Sequence, residues 1–97
     1  MCGLGGIFAE AFQDTVFGVA PLSHADALGM LNRLNCQDLL NGFRGIAPVD
    51  REAVARIMVS LGDLGCHHPR IREIDINPLI VHNGSPVAVD GLIVLSE

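Results

Sequence analysis

Three oxygen-bearing side chains near the C-terminal end, Asp75, Asn77 and Asp90, carry the chemistry most readily read from this sequence. Ile74, Ile76, Ile80, Val87, Val89 and Ile93 alternate with other residues on either side of Asn83-Gly84. Asn-Gly flanked by such alternation is a strong hairpin signal. A two-residue type I′ turn there sets His82 against Ser85, which brings Asn77 opposite Asp90 and Asp75 opposite Leu92. Side chains alternate with period two along a strand, so Asp75, Asn77 and Asp90 are expected on one face and the apolar set on the other, as a core face. Two carboxylates and an amide suit a hard divalent cation such as magnesium, which takes oxygen ligands, keeps several waters and shares its shell with substrate phosphates. The plainer reading is a solvated polar face, because any half-buried hairpin alternates in this way. Pro78, directly after Asn77, has no amide for the ladder and holds the Asn77 backbone extended.

Other residues are weaker candidates. Gly3-x-Gly5-Gly6 lacks the Lys-Ser/Thr of a phosphate loop and precedes a strand-like stretch, so it reads as a tight turn that lets a strand begin close to a neighbouring backbone. Glu10 and Asp14 lie near a strand turn, where they either approach the metal face or form a solvated edge. Arg44, between Gly42-Phe43 and Gly45, either contacts phosphate or a partner, or caps a helix or joins a surface salt bridge. His67-His68 before Pro69 has no zinc-like spacing with Cys66 and reads as surface, as do His24 and His82. Cys36 has no base placed beside it and reads as a buried, inert thiol. Glu10 and Arg44 are thus the candidate cofactor-binding residues, Asp75, Asn77 and Asp90 the candidate metal ligands, and no residue is assigned to catalysis.

The elements that must position these groups follow from patterning. Ile7-Phe8-Ala9 and Thr15 to Ala20 read as two strands around Gln13-Asp14, with Gly18 either weakening the second or marking a close approach to its backbone. Ser23 is a good N-cap with Asp26 three residues on, followed by an apolar stripe from Ala27 to Leu34 that Asn35 can close. Gln37 to Asn41 adds one turn. Asp50 caps a further helix carrying Val54, Ile57, Met58 and Leu61, expected to end around Gly62 to Gly65. The expected class is α+β, an antiparallel sheet with helices on one face in the order β-β-α-(α)-α-β-β.

Composition sets outer limits. The 97 residues form a single domain's worth of chain, of a size that buries only roughly 60–65% of its unfolded surface, so association would help it. A net charge of −5 without a basic run argues against nucleic-acid binding. Apolar content of 49% argues against disorder. No run suffices to span a bilayer, the N-terminus is not a signal peptide, and Cys2 excludes myristoylation at that position. Three cysteines without C-x-x-C spacing read as reduced thiols of a cytoplasmic protein.

Glu73-Ile74-Asp75-Ile76-Asn77-Pro78-Leu79-Ile80-Val81 followed by Val87-Ala88-Val89-Asp90 resembles the end of an ATP-grasp domain. The likeness is to the NDP-forming acyl-CoA synthetases, including ADP-forming acetyl-CoA synthetase, relatives of the succinyl-CoA synthetase β subunit. Gly3 to Glu10, Asp14-Thr15-Val16-Phe17, Ala20-Pro21-Leu22-Ser23 and Leu40 to Gly45 resemble the same family in the same order, across essentially the whole chain. The resemblance implies that Asn77 and Asp90, with Asp75 beside them, bind the Mg2+ that bridges nucleotide phosphates. It implies acyl-CoA formation from acid, CoA and ATP, or the reverse, with a phosphohistidine in another domain or subunit. Gly18 departs from it, because family members usually carry a basic residue after the strand phenylalanine. The likeness covers only the C-terminal subdomain of the fold, residues 1–97, and the chain has no lysine, whereas the phosphate-contacting lysine belongs upstream. Mg2+ with ATP or ADP is therefore expected only together with the rest of the domain. The implied partner is that remainder or a CoA-binding subunit. The alternative is a non-catalytic module that self-associates as a homodimer or docks elsewhere.

Overall fold

A computed structural model describes residues 1–5 and 14–97. Its elements are β1 (Cys2–Gly3), β2 (Thr15–Val16), α1 (His24–Asn32), α2 (Gln37–Asn41), α3 (Arg51–His67), β3 (Ile71–Ile76), β4 (Leu79–His82), β5 (Ser85–Ala88) and β6 (Gly91–Leu95). All pairing is antiparallel: β1 with β2, β3 with β6 and β4 with β5. The α+β class therefore holds, and each expected arm of the C-terminal hairpin is split into two strands.

Local chemistry explains the helices. Ser23 and Asp26 form the reciprocal capping box, each side chain accepting the other's backbone amide at 3.0 Å. The Ser23 amide holds the Asp26 carboxyl below its ordinary range. At the other end of α1, the Gln37 amide donates to the Leu31 and Leu34 carbonyls at 2.9 and 2.6 Å, satisfying acceptors a helix terminus leaves open. Arg51 then joins three elements, donating to Asn32, Gln37 and Asn41 at 2.8–2.9 Å. At the starts of α1 and α3, His24 contacts Glu52.

Ala27, Met30 and Leu31 of α1, Leu34, Leu40 of α2, Val54 and Ala55 of α3, and Val16 of β2 make the core. Ala27 and Ala55 have no exposed surface, and small residues at such positions let helix axes approach closely. Helix α3 does not stop at Gly62 to Gly65 as expected. It runs on to His67, whose Nδ1 donates to the Asp63 carbonyl at 2.7 Å. Gly62 is kept by a close approach instead: a Cβ there would sit 3.3 Å from that of Ala20.

The N-terminal expectation needs correction. Gly3, read as part of a turn, lies in strand β1, where a Cβ would stand 2.6 Å from Thr15 Cγ2. Strand β2 is only two residues long; Phe17 and Val19 are exposed, and the Phe17 carbonyl accepts from Arg33 at 3.0 Å. Gly18 does mark a close approach, because a Cβ there would meet Met30 Sδ at 2.6 Å. The expected strand Ile7-Phe8-Ala9 lies outside the described residues.

These contacts rank the effects of substitution. Ser23→Ala should lower stability by about 1 kcal/mol through loss of the cap. Leu31→Ala should cost about 2–5 kcal/mol by opening the core. Urea denaturation should return them in that order.

Candidate functional site

The turn at Asn83-Gly84 has both residues at positive φ, 49° and 84°, as a type I′ turn requires. His82 pairs with Ser85, Ile80 with Val87 and Leu79 with Ala88. Beyond the break at Pro78, Ile76 pairs with Gly91, Asp75 with Leu92 and Ile74 with Ile93. The register is the one the turn dictates, held across the gap as far as Glu73 opposite Val94, beyond which it shifts by one residue at Ile71. Two bonds span the gap between them: the Asn77 amide donates to the Asp90 carbonyl at 3.1 Å, and the Val89 amide to the Pro78 carbonyl at 3.3 Å. Asn77 therefore stands opposite Asp90, Asp75 lies two residues along the same arm, and all three are exposed.

The apolar face does not follow the expectation. Ile74 and Ile76 are half-buried, but Ile80, Val87, Val89 and Ile93 are 48%, 50%, 62% and 51% exposed. In the outer pair, Leu79 packs against the core and Pro86 is half-buried, and these belong to the opposite side of the ribbon. The side turned inward thus changes across the gap at Asn77-Pro78, where the ladder is interrupted and the two strand pairs need not share one plane. Four of the six apolar residues are thus about half or more exposed.

The other candidates are scattered. Arg44 occupies the tight turn Phe43 to Ile46 at φ 50°, exposed, its guanidinium 5.1 Å from the Phe43 ring centre. It caps no helix and pairs with no carboxylate among the described residues. Glu10 lies outside the described residues. Asp14 is neither a metal-face residue nor a solvated edge. It is buried, and its two carboxylate oxygens accept the Asn35 and Cys36 amides at 2.8 and 2.9 Å. Those bonds, that to Asn35 first, hold its carboxyl below the ordinary range. No sequence signal separated this role from a surface acid, because the amides it receives lie about twenty residues away. Cys36 is exposed rather than buried, and Cys66 is exposed too, while burial pushes the half-buried Cys2 thiol up. All three cysteines are free. His67 ends α3 and His68 follows it.

The donor set can be judged on its own chemistry. Among the described residues no group of three or more His, Cys, Asp or Glu could hold a metal ion. Two carboxylates and an amide on an exposed ribbon still fit magnesium, which is bound through one or two carboxylates and completes its shell with water and phosphate. No described helix is long and apolar enough to cross a membrane.

Asp14 makes a testable contribution. A carboxyl whose folded pKa is depressed adds stability above its unfolded value, about 3.9, and that stability is lost as pH falls through the folded value. Asp14→Ala should therefore lower the urea midpoint at neutral pH. The difference from the parent should shrink on acidification below about pH 4.

Comparison with known proteins agrees with this architecture. The family model for the ATP-grasp domain matches residues 1–95. The β subunit of ADP-forming acetate–CoA ligase I from Pyrococcus furiosus is 45% identical over 95 residues, covering 98% of this chain and 41% of that subunit. ADP-forming acetate–CoA ligase I from Archaeoglobus fulgidus is 33% identical over 97 residues, the whole of this chain and 14% of the relative. Among solved structures, the dinucleotide-forming acetyl-coenzyme A synthetase 1 of Ca. Korarchaeum cryptofilum, in complex with coenzyme A and Mg-AMPPCP, superposes with a TM-score of 0.87 at 43% identity. That match covers 96% of this chain and 44% of the other. The chain spans less than half the length of these relatives. On the family match over nearly its whole length, this chain belongs to the ATP-grasp family.

Proposed function

We propose that this chain carries the magnesium–phosphate face of the nucleotide site in an NDP-forming acyl-CoA ligase, working as the C-terminal subdomain of a larger ATP-grasp domain. The observation that carries the proposal is the pairing of Asn77 with Asp90 across the gap between two ladders, within a fold shared with a synthetase solved with Mg-AMPPCP. Asp75, Asn77 and Asp90 are the residues that would hold the cation. When bound, Mg2+ neutralises phosphate charge and aligns the transferring group. The ribbon's part is to present two carboxylates and an amide oxygen at fixed spacing beside the nucleotide's phosphate tail. Arg44 offers an exposed cation to phosphate or to a partner, and Glu10, by its sequence position near the expected strand turn, is the second proposed cofactor contact. A lysine for the phosphates has to come from elsewhere, since this chain has none. The reaction class is acyl-CoA formation from acid, CoA and ATP, or its reverse. The partner is the remainder of the domain or a CoA-binding subunit.

A second reading rests on a different observation. Ile80, Val87, Val89 and Ile93 leave 48–62% of their surface exposed on one ribbon, and contiguous apolar surface favours association. A docking or self-associating module that retains the fold without the chemistry would use that face. Sedimentation at rising concentration separates the readings: a sharp monomer at all concentrations removes the homodimer.

NMR with Mn2+ as a paramagnetic probe tests the main proposal. Broadening should be confined to amides around Asp75, Asn77, Asp90 and Gly91, reverse with excess Mg2+, and weaken by about tenfold or more in Asp90→Asn. Mg-AMPPCP should bind the isolated chain only weakly. Tight nucleotide binding, or ATP turnover dependent on acid and CoA by this chain alone, would overturn the dependence on a larger domain. Broadening centred elsewhere would overturn the site.

A further inference from the structure

We infer that Gly84, at the tip of the ribbon, is a positioning residue for the Asn77–Asp90 pair, acting through a clasp with Pro48 and Asp50. The inference rests on the magnesium reading above and extends it to a residue outside the donor set.

The outer pair β4–β5 meets the inner pair β3–β6 through just two spanning bonds, at Asn77–Asp90 and Pro78–Val89. So slender a junction cannot by itself set the angle between the two pairs. The tip supplies the missing constraint. Gly84 is buried while its neighbours Asn83 and Ser85 are exposed. Its carbonyl accepts the Asp50 amide at 2.8 Å. A Cβ at Gly84 would stand 2.6 Å from the Pro48 carbonyl oxygen, which is backbone and cannot swing away, and the residue sits at φ 84°. Only glycine satisfies both the close approach and the left-handed backbone.

The other side of the clasp is rigid. Asp50 caps α3, accepting the Ala53 amide at 3.0 Å through its side chain and the Val54 amide at 3.1 Å through its carbonyl. The Val49 amide donates to Leu40 of α2 at 2.8 Å. The tip is thus tied to the start of a 17-residue helix and to the helical core, while Leu79 anchors the base of the outer pair against that core. Fixed at tip and base, the outer pair holds one pose, and the Asn77–Asp90 pair lies at its pivot. The distance between cation ligands on the two arms is then set from the far end of the ribbon.

Hydrogen exchange and Mn2+ broadening on the whole chain test this, with Gly84→Ala as the variant. Without metal, exchange at the Asn77 and Val89 amides should speed up by about tenfold or more in Gly84→Ala, while Leu31 and Val54 in the helical layer stay unchanged. Mn2+ affinity at the face should fall by about tenfold, the scale seen when a group supporting a metal ligand is lost. In the unsubstituted chain, Mg2+ should slow exchange of the Asp50 amide, because coupling between two sites is reciprocal. That measurement stands even if Gly84→Ala fails to fold, and an Asp50 amide indifferent to Mg2+ in a chain whose ribbon does bind the metal would overturn the clasp. Unchanged exchange at Asn77 and Val89 in a folded variant would also overturn it. Faster exchange there, in a chain whose ribbon shows no Mn2+ broadening at all, would support the clasp and refute the magnesium face instead.

Discussion

A two-residue turn at Asn83-Gly84 sets the cross-strand neighbours of the ribbon from His82–Ser85 to Glu73–Val94, and the rest of the site depends on that register. Because side chains alternate with period two, a slip of one residue would move Asn77 off Asp90 and exchange the two faces of the ribbon. Positive φ at both turn residues matches the turn's twist to that of the strands it joins. The register survives the gap at Pro78 and resumes on the far side. What the gap changes is which face turns inward, and this places the candidate cation ligands where the two ladders meet.

The helical layer is the stable body to which the ribbon is attached. Its polar contacts are long-range and concentrated on a few side chains. Gln37 closes the end of α1, Arg51 joins the three helices, and Asp14 receives two amides ahead of α2. Each satisfies backbone or side-chain groups that would otherwise compete for water, and a buried polar group without such a partner is costly. Asp14 in particular is a buried carboxylate made tolerable by two amide donors, which favour its charged form.

The outward-facing apolar residues on the ribbon are the counterpart of this small body. Among the described residues, eight buried apolar side chains form its core. The ATP-grasp relatives that this chain matches are more than twice as long.

Much of this architecture was legible in the residues alone. Ser23 and Asp26 announced α1, Asp50 announced α3, and Asn83-Gly84 announced the ribbon and its pairing, because caps and turns are chemistry between near neighbours. The whole-chain likeness to the acyl-CoA synthetases was legible for a related reason: its motifs lie in short, contiguous stretches. The errors came wherever distance along the chain mattered. Gly62 and Gly65 sit inside a helix, Asp14 is a buried cap, and Cys36 is exposed. Ile80, Val87, Val89 and Ile93 face outward although their spacing matched that of Ile74 and Ile76. The sequence by itself determined the helices, the turn and the strand register, since local hydrogen bonding and the period of the side chains decide them. Only the tertiary structure decided which face of the ribbon is covered and how its tip meets α3, because burial depends on how much of the rest of the molecule is there to pack against it.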